Sequence, residues 1–285
     1  MKKVKVKIPA KVNLTLDITG AEGGFHNLKT LVTSIDLFDE ITVSARADGL
    51  VTLKTVGFIP ECDEKSNNAY RAAELFVNTF STSGVDITVK KNIPIASGLG
   101  GSSADIAGVL IAMQKLFNTR GDLGAIANKL GSDSGYMLSG GWAILEGKGD
   151  IVRKIPVKKR LYLLLITCPM VDALKVTAAA CYKEYDRQGI AYPPSTENAV
   201  TLLLKGDEEH FLTLLKNDLY PSAKTVLPLL ETNLNALKKH GAAVMTGSGA
   251  TVIGVYKTAR EQNNAYKSLR SIFGDKLIKA KTIKN

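Results

Sequence analysis

The stretch that decides the fold is Asn92-Ile-Pro-Ile-Ala-Ser-Gly-Leu-Gly-Gly-Ser-Ser-Ala-Asp-Ile-Ala-Gly108. Ser102 and Asp105, three residues apart, predict a capping box at the start of a helix. Beyond them, the apolar residues that recur at helical spacing are Ile106, Val109, Leu110, Met113, Leu116 and Phe117. This spacing predicts a helix with one buried stripe. A glycine-rich loop therefore leads directly into a helix N-terminus.

Such a loop favours an anion, because glycines let the backbone approach closely and the helix N–H groups and dipole attract negative charge. Two common nucleotide motifs do not fit. A Walker A loop ends in Gly-Lys-Ser/Thr, whereas Ser102 follows Gly101 here, and the pattern GxGxxG fails because the sixth residue from Gly98 is Ser103. The loop thus indicates phosphate binding of another kind, with a serine hydroxyl as a candidate magnesium or phosphate ligand.

The 285 residues suggest one large domain or two ordinary ones. Besides the helix that follows the glycine-rich loop, the first half reads as strands and a second helix, Asn68–Phe80. Val4, Val6 and Ile8 alternate with lysines up to Pro9, which we expect to end that strand. A turn is predicted at Gly20–Gly24. The other strand-like runs are Val12–Ile18, Ile41–Ala45, Leu50–Thr55 and Val85–Val89.

The second half mixes helices with short apolar runs. We place a boundary between 156 and 157, ahead of the strand Leu161–Thr167. Helices are expected at Asn198–Leu204, at His210–Leu215 and at Ala223–Lys239, the last kinked or restarted at Pro228. Two strands joined by a Gly-Ser-Gly turn are expected in 244–256. Strands and helices without regular βαβ alternation favour an α+β fold.

Composition narrows the class of protein. With 45% hydrophobic and 22% charged residues, the chain reads as a soluble globular protein. The three cysteines, Cys62, Cys168 and Cys181, are widely spaced, which argues against disulfides and zinc and favours a cytoplasmic location. The alternating N-terminus does not resemble a signal peptide, and the longest apolar stretch, Leu161–Ile166, is far shorter than the ~20 residues that span a bilayer.

A net charge of +10, from 37 Lys and Arg against 27 Asp and Glu, leaves three acidic partners open: nucleic acid, an anionic membrane or a small anionic substrate. The basic stretch 276–284 suggests nucleic acid, but aromatic residues are only 6% and no stacking motif interleaves with the basic ones. No segment combines an apolar face with a dense basic one, so membrane binding is not expected. Nothing in the sequence indicates an oligomeric state.

Three further features are ambiguous on their own. Asp133 lies in Gly131-Ser-Asp-Ser-Gly135, where it could simply cap a turn. Lys11 lies between two strand-like segments and could be a surface residue. His26 follows Gly23-Gly24-Phe25 and could be an ordinary turn histidine.

Taken together in order, these features resemble the GHMP kinases. The resemblance rests on four separate motifs: Pro9–Leu14, Pro94–Ser103, Gly131–Asp133 and Met245–Ala250. Within that superfamily, Gly24-Phe-His-Asn-Leu28 is similar to an element of the 4-diphosphocytidyl-2-C-methyl-D-erythritol kinases of non-mevalonate isoprenoid biosynthesis. Asn67–Ala73 and Asn217–Leu219 are similar to further segments of that family, so the resemblance spans nearly the whole chain.

The resemblance implies two lobes: an ATP-binding N-terminal domain of the ribosomal-protein-S5 type over 1–156, and a ferredoxin-like domain over 157–285. It implies ATP-dependent phosphorylation of the 2-hydroxyl of a cytidine-diphosphate-linked methylerythritol that binds between the lobes. Asp133 would be the base and Lys11, beside it, would stabilise the carboxylate and the developing charge.

The resemblance also implies the binding residues. Phosphates would lie on the loop formed by Pro94, Gly98, Leu99, Gly100, Gly101, Ser102 and Ser103, with Ser103 the candidate Mg²⁺ ligand. Phe25 and His26 would hold the cytosine ring by stacking and hydrogen bonding. Asn13, Gly247 and Ser248 would complete the substrate site.

The chain departs from the family pattern at several positions. Ser102 stands where an ungapped alignment has a third glycine, and Ser134-Gly135 follows Asp133 where the family usually has Val-Pro. Phe25 replaces a tyrosine and Tyr220 an acidic residue. A different GHMP small-molecule kinase, acting on another alcohol or phosphate, is therefore the alternative function.

Overall fold

The computed structural model describes residues 2–58 and 63–283. These residues form two compact units. Unit 1 contains the chain up to Ala10, Leu37–Ile95 and Gly100–Gly140, and unit 2 contains Lys11–Asp36, Ala96–Leu99 and the chain from Gly141 onward. Helices and strands mix without regular alternation, which confirms the α+β class. The boundary between 156 and 157 stays a prediction.

Strands and helices alternate irregularly along the described residues. The strands are β1 (Lys3–Asn13), β2 (Thr15–Glu22), β3 (Phe25–Ala45), β4 (Val51–Gly57), β5 (Val85–Lys91), β6 (Ala143–Gly147), β7 (Ile151–Lys154), β8 (Tyr162–Thr167), β9 (Lys216–Asn217), β10 (Ala242–Thr246), β11 (Thr251–Tyr256) and β12 (Leu277–Lys281). The α-helices are α1 (Asn68–Phe80), α2 (Gly101–Phe117), α3 (Leu123–Ala127), α4 (Ser134–Met137), α5 (Met170–Ala173), α6 (Ala178–Gln188), α7 (Thr196–Lys205), α8 (Glu208–Thr213), α9 (Tyr220–Val226), α10 (Leu229–Lys238) and α11 (Ala259–Phe273).

Unit 1 packs α1 and α2 over a sheet. In that sheet β5 pairs parallel with β4 and antiparallel with residues 40–45 of β3. Helix α2 approaches the sheet very closely, because a Cβ on Gly108 would lie 2.6 Å from Cδ1 of Ile41 and 2.8 Å from Cγ1 of Ile8. The helix is buried on most of its sides rather than along the single predicted stripe. The middle of the helix is therefore fixed against the sheet by packing.

Unit 2 contains a four-stranded antiparallel sheet in the order β10-β11-β8-β12. Helices follow its first and third strands in chain order, which is the βαββαβ pattern of ferredoxin-like folds, as predicted. Leu164, Leu230 and Val252 are fully buried in its core. In the same unit, β2 and β3 form a hairpin whose two-residue turn is Gly23-Gly24, with φ of 58° and 78°. Positive φ at both turn residues is typical of a type I′ turn, whose backbone twist matches the right-handed twist of the two flanking strands.

Several predicted elements are confirmed: α1 with its predicted bounds, strand β8, the β10–β11 hairpin and the restart of the helix at Pro228. Pro9 does not end the first strand, since β1 continues to Asn13. Proline lacks the backbone N–H that would donate a hydrogen bond to a neighbouring strand. A strand can therefore continue through proline at a position where no such hydrogen bond is needed.

Cys168 and Cys181 carry free thiols, and Cys62 lies outside the described residues. Burial raises the pKa of each described thiol to about 11. Within residues 2–58 and 63–283, no helix has both the length and the apolar composition needed to cross a bilayer.

Candidate active site

The loop before α2 is built on left-handed backbone. Gly98 and Gly100 both have φ of 74°, and Ala96 has φ of 52°, which is unusual for a residue with a side chain. Gly100 is the N-cap of α2, and it provides no side-chain hydrogen bond to the helix. This conformation leaves the first N–H groups of α2 without a capping side chain, as an anion site requires.

The predicted capping box of Ser102 and Asp105 is wrong. Ser102 lies in the first turn of α2, where its Oγ accepts a hydrogen bond of 2.7 Å from Nδ2 of Asn68. Asp105 turns inward instead and accepts a 2.8 Å hydrogen bond from Nζ of Lys91. Glycine at the N-cap removes the side chain that a capping box needs.

The side chain of Lys91 forms hydrogen bonds with the first turn of α2. It is buried, and its ammonium donates to Asp39 at 2.5 Å, to Asp105 and to the carbonyl of Gly101 at 3.2 Å. Burial raises the pKa of Asp105 to about 7, against the opposing charge of Lys91 and with a further increase from the charge of Asp39. Asp39 also accepts from the backbone N–H groups of Asn92 and Ile93, so one buried cluster fixes both the strand end and the helix start.

The cluster of Lys91, Asp39 and Asp105 is not among the predicted site residues, although the sequence of β5 contains one signal for it. Val85, Ile87, Val89 and Lys91 alternate along β5, and all four are buried. A lysine that continues an apolar period of two predicts a buried ammonium, which requires a carboxylate partner.

Asp133 stands at the N-cap of the short helix α4 and is half-buried. Its backbone carbonyl accepts a 3.1 Å hydrogen bond from the N–H of Met137. The next side chain, Ser134, is fully buried, and its Oγ has no hydrogen-bond partner among the described residues. A Cβ on Gly131 would lie 2.9 Å from that Oγ and 3.4 Å from Oγ of Ser103. Unit 1 therefore gathers Ser103, Gly131 and Ser134 beside the candidate base.

Lys11 and Asn13 meet in unit 2. Lys11 is buried rather than on the surface, and its Nζ donates a 2.7 Å hydrogen bond to Oδ1 of Asn13. The backbone N–H of Lys11 donates to the carbonyl of Leu99 at 3.0 Å, and that of Gly247 donates to Oδ1 of Asn13 at 3.1 Å. The structure thus brings four predicted site residues together: Lys11, Asn13, Leu99 and Gly247.

The Gly247-Ser248-Gly249 turn is fixed from two sides within unit 2. Nδ2 of Asn217 donates to the carbonyls of Met245 and Gly247 at 2.9 and 2.8 Å. The thiol of Cys181 donates to the carbonyl of Ser248 at 3.2 Å. Asn217 and Cys181 are not among the predicted site residues, because the carbonyl groups that they contact lie 28 to 67 residues away in the sequence.

Phe25 and His26 lie at the start of β3, at the tip of the β2–β3 hairpin. Phe25 is 57% exposed, and Nζ of Lys148 lies 3.8 Å from the centroid of its ring. The His26 ring stacks on Tyr182 of helix α6 at a centroid distance of 4.6 Å. Oδ1 of Asp186, on the same helix, lies within hydrogen-bond distance of Nε2 of His26, at 2.7 Å. Helix α6 is not among the elements predicted from the sequence.

Two segments of the chain match models of known protein families. Residues 67–143 match the model of the GHMP kinases N-terminal domain, and residues 199–275 match that of the GHMP kinases C-terminal domain. The chain belongs to the GHMP kinase family. A 4-diphosphocytidyl-2-C-methyl-D-erythritol kinase of Clostridium botulinum is 31% identical to this GHMP kinase, and the alignment covers 96% of the chain described here and 98% of the relative. The enzyme of that name from Moorella thermoacetica is 34% identical over 94% and 95%.

Solved structures agree with the family. A crystal structure of 4-(cytidine 5'-diphospho)-2C-methyl-D-erythritol kinase superposes on this GHMP kinase with a TM-score of 0.80 and 28% identity, covering 97% of this chain and 98% of that one. A mevalonate kinase of L. major in complex with R-mevalonate gives a TM-score of 0.74 at 16% identity over 100% of this chain and 98% of that one. The second likeness shows the shared fold alone.

Proposed function

We propose that this GHMP kinase transfers the terminal phosphoryl group of ATP to the 2-hydroxyl of 4-diphosphocytidyl-2-C-methyl-D-erythritol. The observation that carries the proposal is the set of relatives with that name, which are 31–35% identical and align over at least 88% of this chain. The proposal places the protein in non-mevalonate isoprenoid synthesis.

We assign phosphate binding to the loop formed by Pro94, Gly98, Leu99, Gly100, Gly101, Ser102 and Ser103. Its support is the left-handed backbone at Gly98 and Gly100 and the absence of a side-chain cap on α2. The N–H groups of the first turn can then donate to phosphate oxygens, and the helix dipole favours their charge. The buried Lys91 ammonium, bonded to the Gly101 carbonyl, keeps that turn in place.

We assign proton abstraction to Asp133. A carboxylate within hydrogen-bond reach of the acceptor hydroxyl can take its proton as the new phosphate ester forms, and such a base contributes roughly 10²–10⁴-fold to the rate. The fully buried Ser134 and the helical turn that follows hold the Asp133 backbone.

We assign charge stabilisation to Lys11. Its ammonium is buried and already oriented by Asn13, so little reorganisation is needed as negative charge develops during transfer.

We also propose a role for Mg²⁺ with Ser103 as its protein ligand. Among residues 2–58 and 63–283, no three His, Cys, Asp or Glu side chains form a metal cage. That fits Mg²⁺ in a nucleotide site, since it keeps several waters and takes few protein ligands besides phosphate oxygens. When bound, the ion would neutralise charge on those oxygens.

The cytidine end of the substrate is assigned to Phe25 and His26, with Asn13, Gly247 and Ser248 on the alcohol side. Support comes from the exposed Phe25 ring and from the hydrogen bond between Gly247 and Asn13. An exposed aromatic ring offers a stacking surface to a base.

The test supplies the purified chain with ATP, Mg²⁺ and one candidate alcohol at a time, and measures ADP. We expect ADP with the cytidyl substrate and none with mevalonate, homoserine or sugars. Asp133→Ala should abolish ADP formation while leaving the thermal midpoint and the affinity for a non-hydrolysable ATP analogue unchanged. Asp275→Ala, an exposed aspartate, is the matched control. ADP formed with another alcohol of the panel instead would favour a different GHMP small-molecule kinase.

A further inference from the structure

Helix α6 fixes the imidazole of His26 on three sides. Tyr182 covers one face, with ring planes only 13° apart, and Tyr185 presents its edge at 6.0 Å and 90°. Oδ1 of Asp186 lies 2.7 Å from Nε2. The side chain of His26 is only 14% exposed, whereas that of Asp186 is 61% exposed. The ring orientation is thus set within unit 2, and the carboxylate that sets it is open to substitution.

The Asp186 contact also determines which ring nitrogen carries hydrogen. An ionised carboxylate only accepts hydrogen bonds, so a 2.7 Å contact places the hydrogen on Nε2. In the neutral imidazole, Nδ1 then holds a lone pair and can only accept. Among the described residues, Nδ1 has no hydrogen-bond partner.

We infer that Asp186 is a positioning residue that keeps Nδ1 of His26 an acceptor, and that this acceptor selects a cytosine base over uracil. The inference rests on the proposed function, since it concerns the base of the proposed substrate. The exocyclic amine of cytosine donates hydrogen bonds, whereas uracil has a carbonyl oxygen at that position, which only accepts. A fixed lone pair on Nδ1 attracts the amine and repels the carbonyl.

The expected discrimination is larger than packing alone provides. A site that forms a hydrogen bond with its substrate rejects an analogue that leaves the buried polar group unpaired. Without Asp186, the imidazole is free to carry its hydrogen on Nδ1, and that form donates to the uracil carbonyl. Loss of Asp186 should therefore weaken cytosine binding and relax the selection together.

The first measurement needs no substrate. Long-range ¹H–¹⁵N spectra at pH 8 report which nitrogen of each histidine carries hydrogen, and His26→Gln assigns the signal among the three histidines. We expect the Nε2–H form of His26 in the wild-type chain and in Glu184→Gln. We expect a mixture of both forms in Asp186→Ala. Glu184 is a matched control because it lies on α6 and bonds Arg187 and Gln188 instead.

The second measurement compares kcat and KM for the cytidyl substrate and its uridyl analogue. Asp186→Ala and Asp186→Leu, which both lack an acceptor for the Nε2 hydrogen, should raise KM for the cytidyl substrate about tenfold and lower the preference for cytosine by at least as much, with kcat and the thermal midpoint unchanged. Glu184→Gln should change neither.

Each remaining outcome counts against a specific claim. An Nδ1–H form in the wild-type chain overturns the inference, and so does an Asp186→Ala variant that keeps its preference for cytosine within twofold. A wild-type chain that phosphorylates neither substrate overturns the proposed function and the inference with it. A wild-type chain that is active, with unaltered Asp186 variants, overturns the inference alone.

Discussion

A Cβ atom on Gly247 would lie 2.9 Å from the carbonyl oxygen of Gly98, so these two glycines meet backbone to backbone. The contact joins the phosphate loop to the β10–β11 turn within unit 2. From the other side, a Cβ on Gly98 would lie 2.6 Å from the carbonyl oxygens of both Thr246 and Gly249. A shift of the phosphate loop at Gly98 therefore requires a shift of the β10–β11 turn as well.

Gly98→Ala should therefore displace the loop, since the new methyl group meets two carbonyl oxygens and the residue has φ of 74°. We expect the affinity for a non-hydrolysable ATP analogue, measured by calorimetry, to fall at least about tenfold. Gly206→Ala is the control, because Gly206 has φ of 77° but nothing within 4 Å of its Cβ position. Equal losses in both variants would show that backbone strain, and not the contact, is responsible.

Lys11→Met should slow the reaction. It removes a buried ammonium oriented by Asn13 while keeping the length of the side chain. We expect kcat to fall by roughly 10²–10³, the range seen when one preorganised donor is lost. Lys5→Met, which removes an exposed lysine of the same strand, should leave kcat unchanged. A comparable loss in the two variants would remove Lys11 from the proposed mechanism.

Lys91→Met should destabilise unit 1. Asp39 is fully buried, and losing its ammonium partner leaves a buried carboxylate unpaired. Breaking a buried pair in this way costs about 3–5 kcal/mol, measured as the free energy of unfolding in urea. Lys90→Met removes the neighbouring exposed lysine and should stay within about 0.5 kcal/mol of the wild type. A Lys91→Met variant as stable as the control would contradict the assigned pairing.

Asp17→Asn should lose stability in a pH-dependent manner. Burial would raise the pKa of Asp17, but hydrogen bonds from Thr196 and Ser195 and the charge of Lys216 outweigh it, so its pKa is lowered. A lowered pKa stabilises the fold above the ordinary value of 3.8, and this contribution is lost as the pH falls through the folded value. The difference in thermal midpoint between wild type and variant should be large at pH 7 and shrink towards pH 3.

Asp122→Asn serves as the control for that comparison. Asp122 is an exposed residue that caps α3, and asparagine caps helices equally well. Its thermal midpoint should follow the wild type at both pH values. A constant difference for Asp17→Asn from pH 7 to pH 3 would mean that the carboxylate charge is not what stabilises this site.

Local patterns predicted much of the fold. The apolar spacing in 101–117 predicted α2, and the Gly-Ser-Gly turn predicted the β10–β11 hairpin. Strand β3 shows where such patterns fail. Only its last residues, Ile41–Ala45, were predicted, although it begins at Phe25. Buried polar residues such as Thr30 and Ser34 interrupt its apolar alternation, and their hydrogen-bond partners, Asn13 and Gly141, come from elsewhere in the chain.

The sequence by itself determined the family, the glycine loop before α2 and the identity of the candidate site residues. Those properties depend on neighbouring residues, whose spacing fixes backbone conformation directly. Only the tertiary structure decided that Lys91 is buried with Asp39 and Asp105, and that Asp186 holds His26 across 160 residues. Such pairs form because a buried charge or a ring nitrogen needs a partner, and packing, not sequence spacing, decides which residue supplies it.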